Sequence, residues 1–195
     1  MATLILVKHA PPEVRPEVAS PRWVLSAEGR ARCGWLAAEL AAQGVTRLYS
    51  SLEPKALETA ALVGLDLGLE VRPRRDLNEN DRTGLAFGTA DELKQTIRRF
   101  FEAPSALVMG EETADAALAR FETALRAVIV EAPDETVAVV AHGTVLTLLV
   151  ARYNDVDAFE FWEALTLPAC VVLDAANFRI EGAVRTYPAG APPGS

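Results

Sequence analysis

Leu4-Ile5-Leu6-Val7-Lys8-His9-Ala10 decides the fold. Its opening apolar run is too short for a helix and reads as a strand buried on both faces. The run ends in a cation and an imidazole, and Pro11-Pro12 stop any continuation. A buried first strand that delivers Lys8 and His9 at its carboxyl end aims a polar pair at a crevice. Open α/β sheets bind ligands there. Val137-Ala138-Val139-Val140-Ala141-His142-Gly143 repeats the device, followed by a helical run through Val145, Leu146 and Leu149. The chain holds 2 histidines, His9 and His142, and each closes an apolar strand. One such residue is ordinarily a core histidine satisfied by a local hydrogen bond. Two in the same setting point to a shared site, provided the sheet places their strands side by side. Zinc binding is the weaker reading, because no cysteine or carboxylate stands at ligand spacing.

Composition sets the bounds. The chain has 195 residues, half of them hydrophobic, enough for a substantial core. A net charge of −8 without a basic run argues against nucleic-acid or anionic-membrane partners. An anionic substrate therefore needs a locally positive pocket. Cys33 and Cys170 lie far apart in apolar patterns and read as buried free thiols. There is no apolar run of membrane-spanning length and no signal-peptide pattern, so the expected setting is the cytoplasm.

Outward from the first strand, residues 11–24 form a proline-rich loop anchored by Trp23 and Leu25. Its arginines, Arg15 and Arg22, are expected to be solvated. Ser26 caps a helix carrying Cys33, Leu36, Ala37 and Leu40, with Gly44 at its end. A second strand covers 46–49, and Ser50-Ser51 read as turn or cap residues. Pro54 and Lys55 open the next helix, whose buried face is Ala56, Ala60 and Val63. This junction has the make-up of an anion site: free backbone N–H groups, the positive end of a helix dipole and an adjacent lysine. A solvated helix start is the plain alternative. A short strand at 69–72 precedes the polar loop 74–82. Thr89 and Glu92 match a capping box for a helix with Leu93, Ile97 and Phe101 on one face. Thr113 caps a longer helix carrying Leu118, Phe121, Leu125 and Ile129. Two further strands are expected at 166–175 and 177–185. Residues 1–186 read as a single domain and 187–195 as a loose tail. The element order implies a three-layer α/β/α sandwich on a mostly parallel sheet.

With these motifs in register, the sequence resembles the histidine phosphatase superfamily, of phosphoglycerate mutase-like fold, across residues 3–175. That family's strand-Arg-His-Gly falls on Lys8-His9-Ala10, and its Leu-Ser-x-x-Gly on Leu25-Ser26-Ala27-Glu28-Gly29. Its Ser-Ser/Asp-x-x-x-Arg-Ala-x-x-Thr-Ala falls on Ser50 to Ala60. Its acid motif falls on Leu77-Asn78-Glu79, its Gly-Glu-Ser and downstream arginine on Glu112-Thr113 and Arg120, and its late strand-His-Gly on Val140 to Gly143.

The resemblance implies a metal-independent phosphatase with no cofactor that acts on a small phosphorylated substrate. It makes His9 the nucleophile, carrying a phosphohistidine, and Glu79 the general acid and then base. Lys8, Lys55 and His142 surround the phosphoryl oxygens. Both arginines of the family's phosphate pocket are lysines here, so charge is kept and the planar fork is lost. Ala10 replaces the family glycine, and Pro11-Pro12 replace polar residues that mutases place there, which argues against a glycolytic mutase. A catalytically weak or idle relative that binds a phosphorylated ligand or partner is the alternative, and a phosphomutase a third. Specificity is expected from residues 11–24 and 74–112, which carry no readable code for a substrate. The oligomeric state is not written in the sequence.

Overall fold

The computed structural model describes residues 2–82, 84 and 88–188. Six strands form one sheet: β1 (Thr3–Lys8), β2 (Arg47–Ser51), β3 (Val71–Arg74), β4 (Thr136–Ala141), β5 (Ala169–Asp174) and β6 (Arg185–Thr186). Their order is β3-β2-β4-β1-β5-β6. The first four strands run parallel, while β5 and β6 are antiparallel to their neighbours. The fold is therefore the expected α/β architecture with a mostly parallel sheet.

β1 lies at the centre, and Leu4, Ile5, Leu6 and Val7 are each 0% exposed. Strand alternation sends Leu4 and Leu6 to one face and Ile5 and Val7 to the other, into two separate apolar clusters. Each such side chain contributes roughly 1.5–3 kcal/mol of burial free energy. Helices α1 (Ala27–Ala42) and α2 (Pro54–Leu67) cover the Ile5/Val7 face through Leu36, Leu40, Ala60 and Val63. Helices α3 (Ala90–Glu102), α4 (Ala114–Glu131), α5 (Gly143–Tyr153) and α6 (Ala158–Ala164) line the opposite side through Phe100, Phe121, Leu146 and Phe159. Residues 143–150 of α5 are all buried, the apolar Val145, Leu146, Leu148, Leu149 and Val150 together with Thr144 and Thr147.

Local signals placed several helix starts. Ser26 accepts from Gly29 N, Thr89 and Glu92 form the capping box, and Thr113 accepts from Ala116 N. Other expectations shift. Ser50 and Ser51 are not turn residues but the buried last residues of β2, and Glu53 is the N-cap of α2. The third strand starts two residues later than expected. Gly68, in left-handed conformation, ends α2, and Leu69 N closes back onto Gly64 O before the chain extends. Ile97 and Phe100 form the buried stripe of α3, while Leu93 is exposed. The proposed strand at 177–185 shrinks to the two residues of β6 plus one bridge, Leu173 to Ile180. Asp174 draws residues 176–177 into a side-chain-bonded turn that breaks the extension. Helix α6 went unread, because its seven residues carry little period.

The packed chain also runs past the boundary expected at 186. Tyr187 is 4% exposed, its ring meets Trp35 edge-on, and the Arg32 guanidinium lies 4.4 Å over it. Of the expected tail, residues 189–195 lie outside the described residues. Cys33 and Cys170 are buried free thiols. No helix among the described residues is long and apolar enough to cross a membrane.

Candidate active site

The ladder between β1 and β4 pairs Lys8 with Ala141, so the next residues, His9 and His142, emerge together. Their rings meet edge-to-face with centroids 5.2 Å apart. The sheet thus satisfies the condition on which a shared site depended.

The segment after His9 is fixed by side chains from two family-like motifs. Ala10 N donates to Thr59 Oγ1 at 3.1 Å, and Ser26 N and Oγ both donate to Pro11 O. A Cβ on Gly29 would stand 2.1 Å from Pro11 O, so only glycine lets this chain lie against α1. The Leu-Ser-x-x-Gly and Thr-Ala elements are therefore clamps on the strand exit.

His9 Nδ1 lies 2.8 Å from its neighbour's carbonyl, Ala10 O. A carbonyl only accepts, so Nδ1 carries the proton and Nε2 keeps its lone pair. Burial, reinforced by the Lys55 and Lys8 charges and opposed by the Ala10 hydrogen bond, pushes the His9 pKa down to about 3. The imidazole is neutral at physiological pH.

His142 is 0% exposed, and its pKa is also driven well below the usual value, by burial first and then by Lys55. Its Nε2 is 2.8 Å from Ser51 Oγ. Ser51 spends its one proton on Asn78 Oδ1, so Nε2–H is the donor to Ser51. Glu53 Oε1 lies 3.6 Å from the same nitrogen.

A cavity of about 170 Å³ opens beside His9, lined by Lys8, Lys55, Glu79 and Arg82, with Pro12, Trp23, Trp162 and Leu167 as apolar walls. Of the five residues expected to act together, four line it. His142 does not; it stands behind His9 and touches it. Lys8 Nζ donates to Leu165 O at 2.7 Å and lies 6.0 Å from the Trp162 ring. Gly143 leaves room for this lysine, since a Cβ there would come within 3.1 Å of Lys8 Cε. Burial, partly offset by Glu79, lowers the Lys8 pKa to about 8. Lys55 Nζ donates to Glu53 Oε2 and to Ser20 O.

Glu79 sits at the start of α5. It accepts from the backbone N–H groups of Thr144, Val145 and Asn80, and from Arg82 Nη2 at 3.2 Å. Asp76 and Asp81, in the same loop, do not line the cavity. Arg120 supports the loop by donating to the carbonyls of Asp76, Asn78 and Glu79, while Glu112 holds Arg120 through two hydrogen bonds. The Glu112 and Arg120 motif thus positions Glu79 from outside the cavity.

Two site residues escaped the sequence reading. Glu53 is 5% exposed and joins three parts of the site: Lys55, the Glu79 N–H at 2.8 Å and the His142 ring. A buried Glu-x-Lys at a helix start was the available signal. Arg82, three residues beyond Glu79, looked like one charge among many in its loop. Arg15 and Arg22 are exposed, as expected. Trp162 and Leu167 add a wall from outside the two segments expected to set specificity.

Solved structures share this architecture. A mycobacterial glucosyl-3-phosphoglycerate phosphatase superposes with a TM-score of 0.74 at 19% identity, covering 97% of this chain and 99% of its own. A phosphoserine phosphatase variant from Entamoeba histolytica, in complex with phosphoserine, gives 0.75 at 14% identity over 95% and 97%. Bacillus stearothermophilus YhfR gives 0.72 at 23% identity over 94% and 96%. No curated protein matches the sequence. The family model of the histidine phosphatase superfamily (branch 1) matches residues 4–177, a span that takes in both strand-end histidines, and the chain belongs to that superfamily.

Proposed function

We propose that the chain is a phosphatase that hydrolyses a small phosphomonoester through a phosphohistidine on His9. The observation that carries this reading is the state of His9. Its Nδ1 is committed to Ala10 O, and its ring is neutral beside a cavity that also holds Lys8, Lys55, Arg82 and Glu79. In the first step Nε2 attacks phosphorus, the bond from phosphorus to the leaving oxygen breaks, and Glu79, in its acid form, gives that oxygen a proton. In the second, Glu79 takes a proton from water, the water oxygen attacks phosphorus, and the N–P bond breaks to release phosphate. Glu79 must first exchange one of its N–H partners for the leaving oxygen. Lys8 and Lys55 stabilise the charge that moves between phosphoryl oxygens, and His142, held by Ser51 behind His9, backs the nucleophile's ring. No step draws on a metal, since side-chain cations neutralise the phosphoryl group.

A binding protein without turnover is the second reading. It is favoured by Lys8 and Lys55 both being engaged by protein acceptors, Leu165 O on one side and Glu53 with Ser20 O on the other. Hydrolysis of a panel of phosphomonoesters decides between the two. Wild-type protein turns over at least one of them. The His9→Ala variant loses on the order of a thousandfold or more of that rate, with its thermal unfolding retained. Undiminished turnover by His9→Ala overturns the phosphatase reading. Transfer of the phosphoryl group to a second hydroxyl instead of water would identify a mutase.

A further inference from the structure

We propose that Arg82 is a phosphoryl-binding residue of the cavity, supplying the planar guanidinium grip on the substrate's phosphate. The inference rests on the cavity being a phosphoryl site, but not on turnover.

Three cations line the cavity: Lys8, Lys55 and Arg82. Both lysines are compromised as anion grips. Lys55 already faces the Glu53 carboxylate in a buried ion pair, so much of its charge is offset within the protein. Lys8 is a point charge tethered to Leu165 O. Arg82 is the guanidinium of this wall and stays charged at any working pH. Its side chain keeps 18% exposure. Its field reaches Lys8, His9 and His142, lowering the proton affinity of all three, which puts the charge among the groups that would surround a phosphoryl.

Arg82 is not needed merely to seat Glu79. That carboxylate already accepts from Thr144 N, Val145 N and Asn80 N, and its loop is fixed by Arg120 and by Glu53. Arg82 Nη2 also donates to Thr144 Oγ1 at 2.8 Å, which orients the guanidinium against the start of α5. Nη2 is engaged by Glu79 and Thr144 and Nε donates to Asn80 Oδ1 at 3.4 Å, so the guanidinium would keep Glu79 and reach a phosphoryl oxygen through Nη1. With Glu53 and an ionised Glu79 set against Lys8 and Lys55, Arg82 supplies one excess positive charge. That meets the need for a positive pocket in a protein of net charge −8.

The test is calorimetric titration of inorganic phosphate, which reads binding without chemistry. Wild-type protein binds phosphate. Arg82→Ala weakens it on the order of ten- to hundredfold, the size of a lost charge-assisted hydrogen-bond pair. Arg82→Lys restores only part of the affinity, because the charge returns without the fork. In parallel, Arg82→Ala raises KM for any hydrolysed phosphoester, including an aryl phosphate with no second anionic group. Phosphate affinity unchanged in Arg82→Ala overturns the proposal. If that variant fails to fold, Arg82→Lys carries the test, and wild-type affinity in it overturns the proposal. Arg82-dependent phosphate binding in a wild-type protein that turns over no phosphoester supports this proposal while overturning the phosphatase reading. A wild-type protein that does not bind phosphate overturns both.

Discussion

The two halves of the site are built by different means. Lys8, His9, Ser51 and His142 stand at the carboxyl ends of β1, β2 and β4, three adjacent parallel strands. Backbone ladder hydrogen bonds set their spacing. Glu79 and Arg82 belong to an irregular segment between β3 and α3, and side chains place them. Arg120 binds three of its carbonyls, Glu53 receives the Glu79 N–H, and Asn78 Oδ1 receives Ser51 Oγ–H and Leu52 N–H. Side-chain substitutions should therefore act on the loop-borne half while leaving the strand-borne half in place.

The sharpest break in this contrast is Glu79→Gln. It is expected to lower kcat by roughly 10²- to 10⁴-fold, the usual worth of a positioned acid–base group. Phosphate binding should survive, since Lys8, Lys55 and Arg82 are all retained. Equal loss of kcat and phosphate binding would show that the halves are not separable.

Glu53→Gln tests the joint between them. The substitution keeps shape but leaves Lys55 without its anion, and both side chains are under 8% exposed. Removing one partner of a buried pair typically costs about 3–5 kcal/mol. A denaturant midpoint that does not move would mean the pair is not a structural link.

The smallest effect concerns the strand-borne half alone. His9 in the unfolded chain takes up its proton near pH 6.5, but in the folded protein only near 3. Between those values the unfolded state binds more protons, so stability falls as pH drops. At about pH 5 this group accounts for a loss of about 2 kcal/mol. His9→Ala should flatten that dependence, read as unfolding free energy between neutral and mildly acid pH, with His142 sustaining the remainder. An unaltered slope would argue that His9 is not buried as a neutral ring.

The same division explains what the sequence made legible. His9 and His142 were readable because each terminates an apolar run, and a strand's direction fixes where its last side chains emerge. Ser26, Thr89 and Thr113 were readable because capping is local chemistry. Glu53 and Arg82 were harder to read, because beside their near partners Lys55 and Glu79 they meet Glu79 N–H and Thr144 from 26 and 62 positions away, and no local pattern announces a meeting across the fold. Ser51 was misread for the same reason. As a strand residue it looks turn-like until His142 and Asn78 are seen around it.

The pairing of Lys8 with Ala141 has a consequence in time as well as space. The two imidazoles are far apart in the sequence, and they meet only when β1 and β4 zip together between the flanking elements. Such non-local pairing is slow, because a large loop must close before contacts compensate for it. A nascent or partly refolded chain can carry well-formed helices and still have no site. Recovery of phosphate binding during refolding would therefore report the closing of the central sheet, and should lag behind the return of helical signal.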